Sequence, residues 1–197
     1  MTTKRPYLLG LTGSIGMGKS TTASMFAEAD CAVWDADAAV HRLYATGGAA
    51  VARIAEICPE AVSTNGVDRD VLKAWIAKDI SALAQLEAVV HPLVAEDRAG
   101  FVAGSKADIV VCDIPLLFET SQGAAFDSVA VVSTDAATQK ARVMARPGMT
   151  EAHFQTILAK QMPDAEKRAR ADHVIDTSTL EGAREAVQTL VKAIRGN

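Results

Sequence analysis

Residues 10–22, Gly-Leu-Thr-Gly-Ser-Ile-Gly-Met-Gly-Lys-Ser-Thr-Thr, leave this chain few ways to fold. An apolar run from Tyr7 to Leu11 enters the stretch and a run of helix formers leaves it, so the local plan is strand, glycine-rich turn, helix. Gly13, Gly18, Lys19 and Ser20 fill every fixed position of G-x-x-x-x-G-K-[ST], with a further glycine at 16. That spacing suits a polyphosphate. Backbone N–H groups turn inward on an anion only where side chains leave room, which is what Gly13, Gly16 and Gly18 are expected to provide. Lys19 adds positive charge for β- and γ-phosphates and Ser20 a hydroxyl for Mg²⁺. The helix opening near Lys19 brings its positive dipole end to the same anion. A tight turn that holds its glycines by chance is the plain alternative, and the flanking strand and helix weigh against it.

The 197 residues, 49% hydrophobic and 22% charged, suffice for one full α/β core carrying insertions. No stretch approaches the about 20 apolar residues of a membrane span, and the N-terminus runs into the first strand without an apolar leader. A cytoplasmic protein with no membrane partner is expected. Cys31, Cys58 and Cys112 are odd in number and lack C-x-x-C spacing, which predicts buried thiols rather than disulfides or a zinc site. The net charge of -4 argues against nucleic acid as a partner. Within it, residues 139–170 hold seven Lys or Arg against three acids, a +4 segment of the kind that closes over a polyanion.

Further strands are predicted at 31–34, 108–112, 128–133 and 173–176, with a closing amphipathic helix over 179–195. The second ends at Asp35-Ala36-Asp37, at the crevice end of an open α/β sheet, so one of these carboxylates is a candidate base or metal-shell residue. Either would serve equally as the cap of the helix that follows. Residues 38–107 show no convincing strand and read as helices over 38–45, 48–57, 69–78, 81–90 and 93–103, with Pro92 starting the last. His91 beside it fits packing or capping better than catalysis. The third strand closes on Asp113, the Walker B form in which a carboxylate reaches Mg²⁺ or its water shell; a cap before Pro115 is the alternative. Helices are predicted over 135–145 and 151–162, and Arg142 and Arg146, four apart, share a face and can converge on phosphate.

With these pieces placed, the chain resembles the dephospho-CoA kinase family nearly end to end. The resemblance rests on Gly10–Thr21, Asp35-Ala36-Asp37, Asp68-Arg69, His91-Pro92, Asp113-Ile-Pro-Leu-Leu-Phe-Glu119, Arg142 with Arg146, Gln161, and Ala171-Asp172-His-Val-Ile175. The Asp113–Glu119 run and the His-Pro pair after a long helical insertion are its narrowest features. It implies an α/β P-loop kinase fold: a five-stranded parallel sheet flanked by helices, with a helical acceptor-binding insertion and a helical lid. The implied division of one domain over 1–197 is core 5–37, 108–138 and 171–197, insertion 38–107, and lid 139–170. The implied reaction moves the γ-phosphate of ATP to the 3′-hydroxyl of dephospho-CoA, with Mg²⁺, in a monomer or weak homo-oligomer. ATP would lie against Gly13, Ser14, Ile15, Gly16, Met17, Gly18, Lys19, Ser20 and Thr21, and the metal against Ser20 and Asp113. Asp37, Lys19, Arg142 and Arg146 would be catalytic, and Asp35, Asp37, His91 and Leu116 would meet the acceptor. Ser14, Met17, His41 and Thr177 depart from residues common in the family. Competing readings are a shikimate kinase-like enzyme, which shares D-x-D after the second strand but lacks the D-x-P-L-L run, and a non-catalytic nucleotide sensor. A GTPase would want N-K-x-D, which is absent; the only D-x-x-G, Asp97–Gly100, lies in a helical pattern.

Overall fold

The structure is a computed structural model that describes residues 5–120 and 125–196; the first four residues, part of the stretch in which a leader was sought, lie outside it. The described chain forms two compact units. One comprises the described residues through Trp34 and from Ser105 on, the other Asp35–Gly104.

The first unit is built on a five-stranded sheet of β1 (Tyr7–Thr12), β2 (Ala32–Asp35), β5 (Ile109–Asp113), β6 (Ser128–Ser133) and β7 (His173–Asp176), in the order β2-β5-β1-β6-β7. The sheet is parallel, as expected. β1 lies at its centre, with Leu9 opposite Val111 on one side and Ser128 on the other. All residues of β5 and β6 are buried, which is why these strands read as continuous apolar runs: a central parallel strand is covered on both faces. α1 (Lys19–Glu28) and α9 (Leu180–Gly196) supply part of that cover. Ala183, Val187, Leu190 and Val191 recur along one stripe of α9 and join Phe26, Leu9, Leu11, Val132 and Ile175 in the core. α6 (Ala136–Met144), α7 (Glu151–Ala159) and α8 (Asp164–Arg170) complete the unit. The single helix expected over 151–162 ends early, and α8 was not anticipated. Its signals are ordinary ones: Pro163 just ahead, Asp164 and Glu166 in the first turn, and Lys167, Arg168 and Arg170 in the last, which complement the helix dipole. All three cysteines are buried free thiols, and burial pushes Cys31 up to about 11.

The second unit packs α2 (Ala36–Tyr44), α3 (Ala49–Ile57), α4 (Arg69–Lys78) and α5 (Ala82–Gly104) around Leu43, Ile54, Leu72, Val90 and Leu93. Two expectations fail here. The unit is not wholly helical, because Val62–Ser63 (β3) and Gly66–Val67 (β4) form a short antiparallel hairpin. Gly66 takes φ 94°, and a Cβ there would lie 2.3 Å from the Tyr44 carbonyl, so only glycine fits this turn. Nor does Pro92 start a helix: it lies inside the 23-residue α5. A mid-helix proline removes one hydrogen bond and costs about 3 kcal/mol, and the buried Val90 and Leu93 on either side anchor the helix across it.

Candidate active site

β1 and β5 end in register, Leu11 opposite Asp113, and their loops leave the sheet together. The Ile114 N–H donates to the Leu11 carbonyl at 2.9 Å and the Thr12 hydroxyl to the Pro115 carbonyl at 3.1 Å. Gly13 is needed for space rather than for freedom: its φ is not positive, but a Cβ would come within 2.4 Å of Val132 Cγ2. Gly16 and Gly18 are the positions with left-handed backbone, at φ 79° and 87°. Gly18 is also the N-cap of α1, whose first intrahelical bond runs from the Thr22 N–H to the Gly18 carbonyl at 3.0 Å. Gly18, Lys19, Ser20 and Thr21 therefore carry the N–H groups that the helix leaves unused.

The rest of the loop is held from outside. The Ile15 N–H donates to Gln161 Oε1 at 3.0 Å, and Gln139 Nε2 donates to the Ile15 carbonyl at 2.8 Å. The Thr177 hydroxyl donates to the Met17 carbonyl at 2.7 Å, while the Met17 N–H turns back to the Ser14 carbonyl at 3.1 Å. The loop is thus divided between Ile15 and Met17, whose backbone groups are engaged by the scaffold, and residues whose N–H groups are open at the helix start. Gln139 was not singled out in the sequence, where a mid-helix glutamine carries no signal. Thr177, noted there as a departure, anchors the loop.

Lys19 forms an ion pair with Asp113, whose side chain is 3% exposed. Asp113 is the last residue of β5, and Lys19 is the first residue of α1, beyond the loop that leaves the neighbouring β1. Ser20 is exposed in the first turn of α1. Among the described residues no cluster of three or more His, Cys, Asp or Glu could hold a metal ion. Mg²⁺ in a nucleotide site needs only one or two protein oxygens beside phosphate and water. Ser20 offers a hydroxyl and Asp113 a carboxylate, oxygens of the kind Mg²⁺ takes. A cavity of about 230 Å³ lies against the loop, lined by Gly16, Gly18, Thr21, Arg142, Arg146 and Thr177 with an apolar side at Met25 and Leu180. Arg142 and Arg146 both line this cavity, although α6 ends at Met144 and they do not share a helix face. They differ in constraint: Arg142 Nη2 donates to the Thr177 carbonyl at 2.6 Å, whereas Arg146 is exposed beyond the end of α6.

The remaining predicted residues divide as follows. Asp35 caps α2, its Oδ1 accepting the Ala38 N–H at 2.9 Å. Asp37 lies in the first turn of α2, exposed, and no hydrogen bond or ion pair joins its side chain to another described residue. His91 is exposed on α5, and Leu116 is 42% exposed in the turn after β5. In the second unit Arg42, next to His41, pairs with Asp97 at 2.6 Å.

A sequence profile of the dephospho-CoA kinase family matches residues 7–181. The chain belongs to the dephospho-CoA kinase family. A dephospho-CoA kinase of Ruegeria pomeroyi is 62% identical over 189 residues, 96% of each chain, and one of Cereibacter sphaeroides is 58% identical over 191 residues, 97% of each. The crystal structure of TT1252 from Thermus thermophilus superposes with a TM-score of 0.86 at 32% identity, covering 96% of this chain and 98% of that one. The family match spans β1 through the start of α9, so it takes in every residue of the phosphate loop, Asp113, Gln139, Gln161 and Thr177.

Proposed function

We propose that the protein transfers the γ-phosphate of ATP to the 3′-hydroxyl of dephospho-CoA, yielding coenzyme A and ADP. The observation that carries the ATP half is the phosphate loop itself: open N–H groups at the start of α1, with Lys19 paired to Asp113 beside them. Family membership over nearly the whole chain supports the acceptor. The loop N–H groups would bind the polyphosphate, and Lys19 would exchange its carboxylate partner for phosphate oxygens as charge develops on the transferring group. Mg²⁺ would be held by Ser20 and Asp113, where it supplies charge neutralisation of the phosphates. Arg142 and Arg146, lining the adjoining cavity, would contact phosphate, with residues 139–170 as the lid and 38–107 as the acceptor-binding insertion. Asp37 is the base of this reading, because its carboxylate is exposed and unengaged while that of Asp35 caps a helix. His91 and Leu116 remain acceptor contacts of the proposal. A cytoplasmic enzyme acting on small molecules follows, in keeping with three reduced, buried thiols and no described helix long and apolar enough to span a membrane.

The test is a coupled ADP-release assay with dephospho-CoA, shikimate and nucleoside monophosphates supplied in parallel. Turnover with dephospho-CoA well above the others is expected. Preference for shikimate would return the enzyme to the other small-metabolite class, and ATP binding without turnover on any acceptor would make it a sensor.

A further inference from the structure

The least expected polar group in the first unit is Lys167, whose ammonium is wholly buried. It lies 2.8 Å from Glu119 Oε1, a close ionic contact that is not aligned as a hydrogen bond. The same oxygen accepts the Met162 N–H at 2.9 Å. Burial alone would raise the Glu119 carboxyl, but Lys167 and the Met162 N–H together hold it below its ordinary value, so it is a carboxylate at neutral pH. Its other oxygen is buried without a hydrogen-bond partner among the described residues, as is Asp164 Oδ1 nearby on α8. Buried charges with orphaned lone pairs are poor stabilisers, and an apolar pair of similar volume commonly does as well or better. Stability is therefore a weak reason for this pair to be here.

What the pair fixes is the turn between α7 and α8. Met162, tied to Glu119, adjoins Gln161, and Gln161 is the residue that takes the Ile15 N–H of the phosphate loop. The far side of the turn is fixed independently, by the Ser133 hydroxyl donating to Asp164 Oδ2 at 2.8 Å. We propose that Glu119, charge-balanced by Lys167, is a positioning residue for ATP: it sets the α7–α8 turn so that Gln161 clamps Ile15 and holds the phosphate loop in its binding shape. Glu119 touches no substrate in this scheme. It ends the Asp113–Glu119 run, so one short segment supplies both a carboxylate for the lysine of the loop and a carboxylate for the turn that braces the loop.

The proposal rests on the ATP-binding half of the proposed function, and ATP affinity measured by calorimetry without any acceptor tests it apart from the acceptor's identity. Four variants are needed, with thermal unfolding as the control for folding. Gln161→Ala is expected to weaken ATP about fivefold, the scale of one hydrogen bond. Glu119→Met with Lys167→Met, which removes both charges and the acceptor for Met162, is expected to weaken ATP to a similar degree without lowering the unfolding temperature. Glu119→Gln with Lys167→Met restores a neutral acceptor for the Met162 N–H and should recover most of the affinity, a difference that loss of charge or packing alone would not produce. Adding Gln161→Ala to the Met pair should weaken binding no further, since both act through one contact. Wild-type ATP affinity in Gln161→Ala or in a folded Met pair overturns the proposal. So does equal weakening in the Gln- and Met-containing pairs, or losses that multiply in the triple variant. Should the Met pair fail to fold, Gln161→Ala and the Gln-containing pair decide the matter between them.

Discussion

At the scale of single residues the candidate carboxylates differ in what already holds them. Asp35 Oδ1 is occupied by the Ala38 N–H, Asp113 by Lys19, and Asp37 by no described group. Position in the sequence leaves the Asp35–Asp37 choice open, because both follow the same strand; in the structure the two differ in that Asp35 caps α2 and Asp37 does not. Asp37→Asn, which keeps the shape and removes the proton affinity, is expected to lower kcat by about 10² to 10⁴ with calorimetric binding of both substrates little changed. Asp35→Asn should leave kcat nearly intact, since asparagine caps a helix as well as aspartate, and Asp35→Ala should lose about 1 kcal/mol of stability in denaturant titration. A larger kcat loss in Asp35→Asn than in Asp37→Asn would exchange their roles. Asp113→Asn should both raise the Mg²⁺ concentration for half-maximal activity and loosen Lys19, so kcat is expected to fall even at saturating Mg²⁺. An unchanged Mg²⁺ titration would remove Asp113 from the metal.

At the scale of elements, what was legible in the sequence is what local chemistry dictates. The strand-turn-helix at residues 7–28, the buried runs of β5 and β6 and the stripe of α9 all declare themselves through periodicity and composition. The continuity of α5 through Pro92 and the Gly66 hairpin do not, because the first depends on packing around the proline and the second on two-residue strands too short to show a period, whereas the start of α8 carried local signals at Pro163, Asp164 and Glu166 that a single helix over 151–162 passed over. The candidate site shows the same division. Lys19, Ser20 and Asp113 were found by motif; Gln139, and the Glu119–Lys167 pair, act through contacts that spacing cannot display. Arg142 and Arg146 are intermediate. A shared helix face was predicted and is not found, whereas the bond from Arg142 to the Thr177 carbonyl was not predicted, and it separates two residues first expected to behave alike. Arg146→Ala is expected to leave thermal unfolding within a degree or so, as removal of an exposed charge usually does, while raising the KM for ATP. Arg142→Ala should do both, raising that KM and lowering the unfolding temperature by a few degrees through the lost Thr177 contact. Identical melting curves for the two variants would show that the Thr177 contact contributes nothing.

At the scale of the whole molecule, each compact unit has its own apolar core, and charges tie the segments of the first unit together at its surface. Arg5 pairs with Asp127 at 2.6 Å and Arg195 with Asp108 at 2.7 Å, bringing both ends of the described chain against the sheet. Burial pulls the Asp127 carboxyl upward, but Arg5 and the Leu8 N–H outweigh it, and the Arg195 hydrogen bond likewise holds Asp108 below the ordinary carboxylate value. Glu119 is lowered too. Groups with depressed folded-state values add stability that is fully present above their unfolded value and is lost as pH falls through the folded one. Unfolding free energy from denaturant titration should therefore be level at neutral pH and decline below about pH 4; a maximum at lower pH would contradict these pairings. Phosphoryl transfer from ATP to dephospho-CoA is read out by its product. The protein is incubated with ATP, Mg²⁺ and dephospho-CoA, and the mixture followed by phosphorus NMR and mass spectrometry. One new phosphomonoester at the ribose 3′ position, formed mole for mole with ADP, is the expected product. ADP released with no phosphate gained by dephospho-CoA, or phosphate gained at any other hydroxyl, would contradict it.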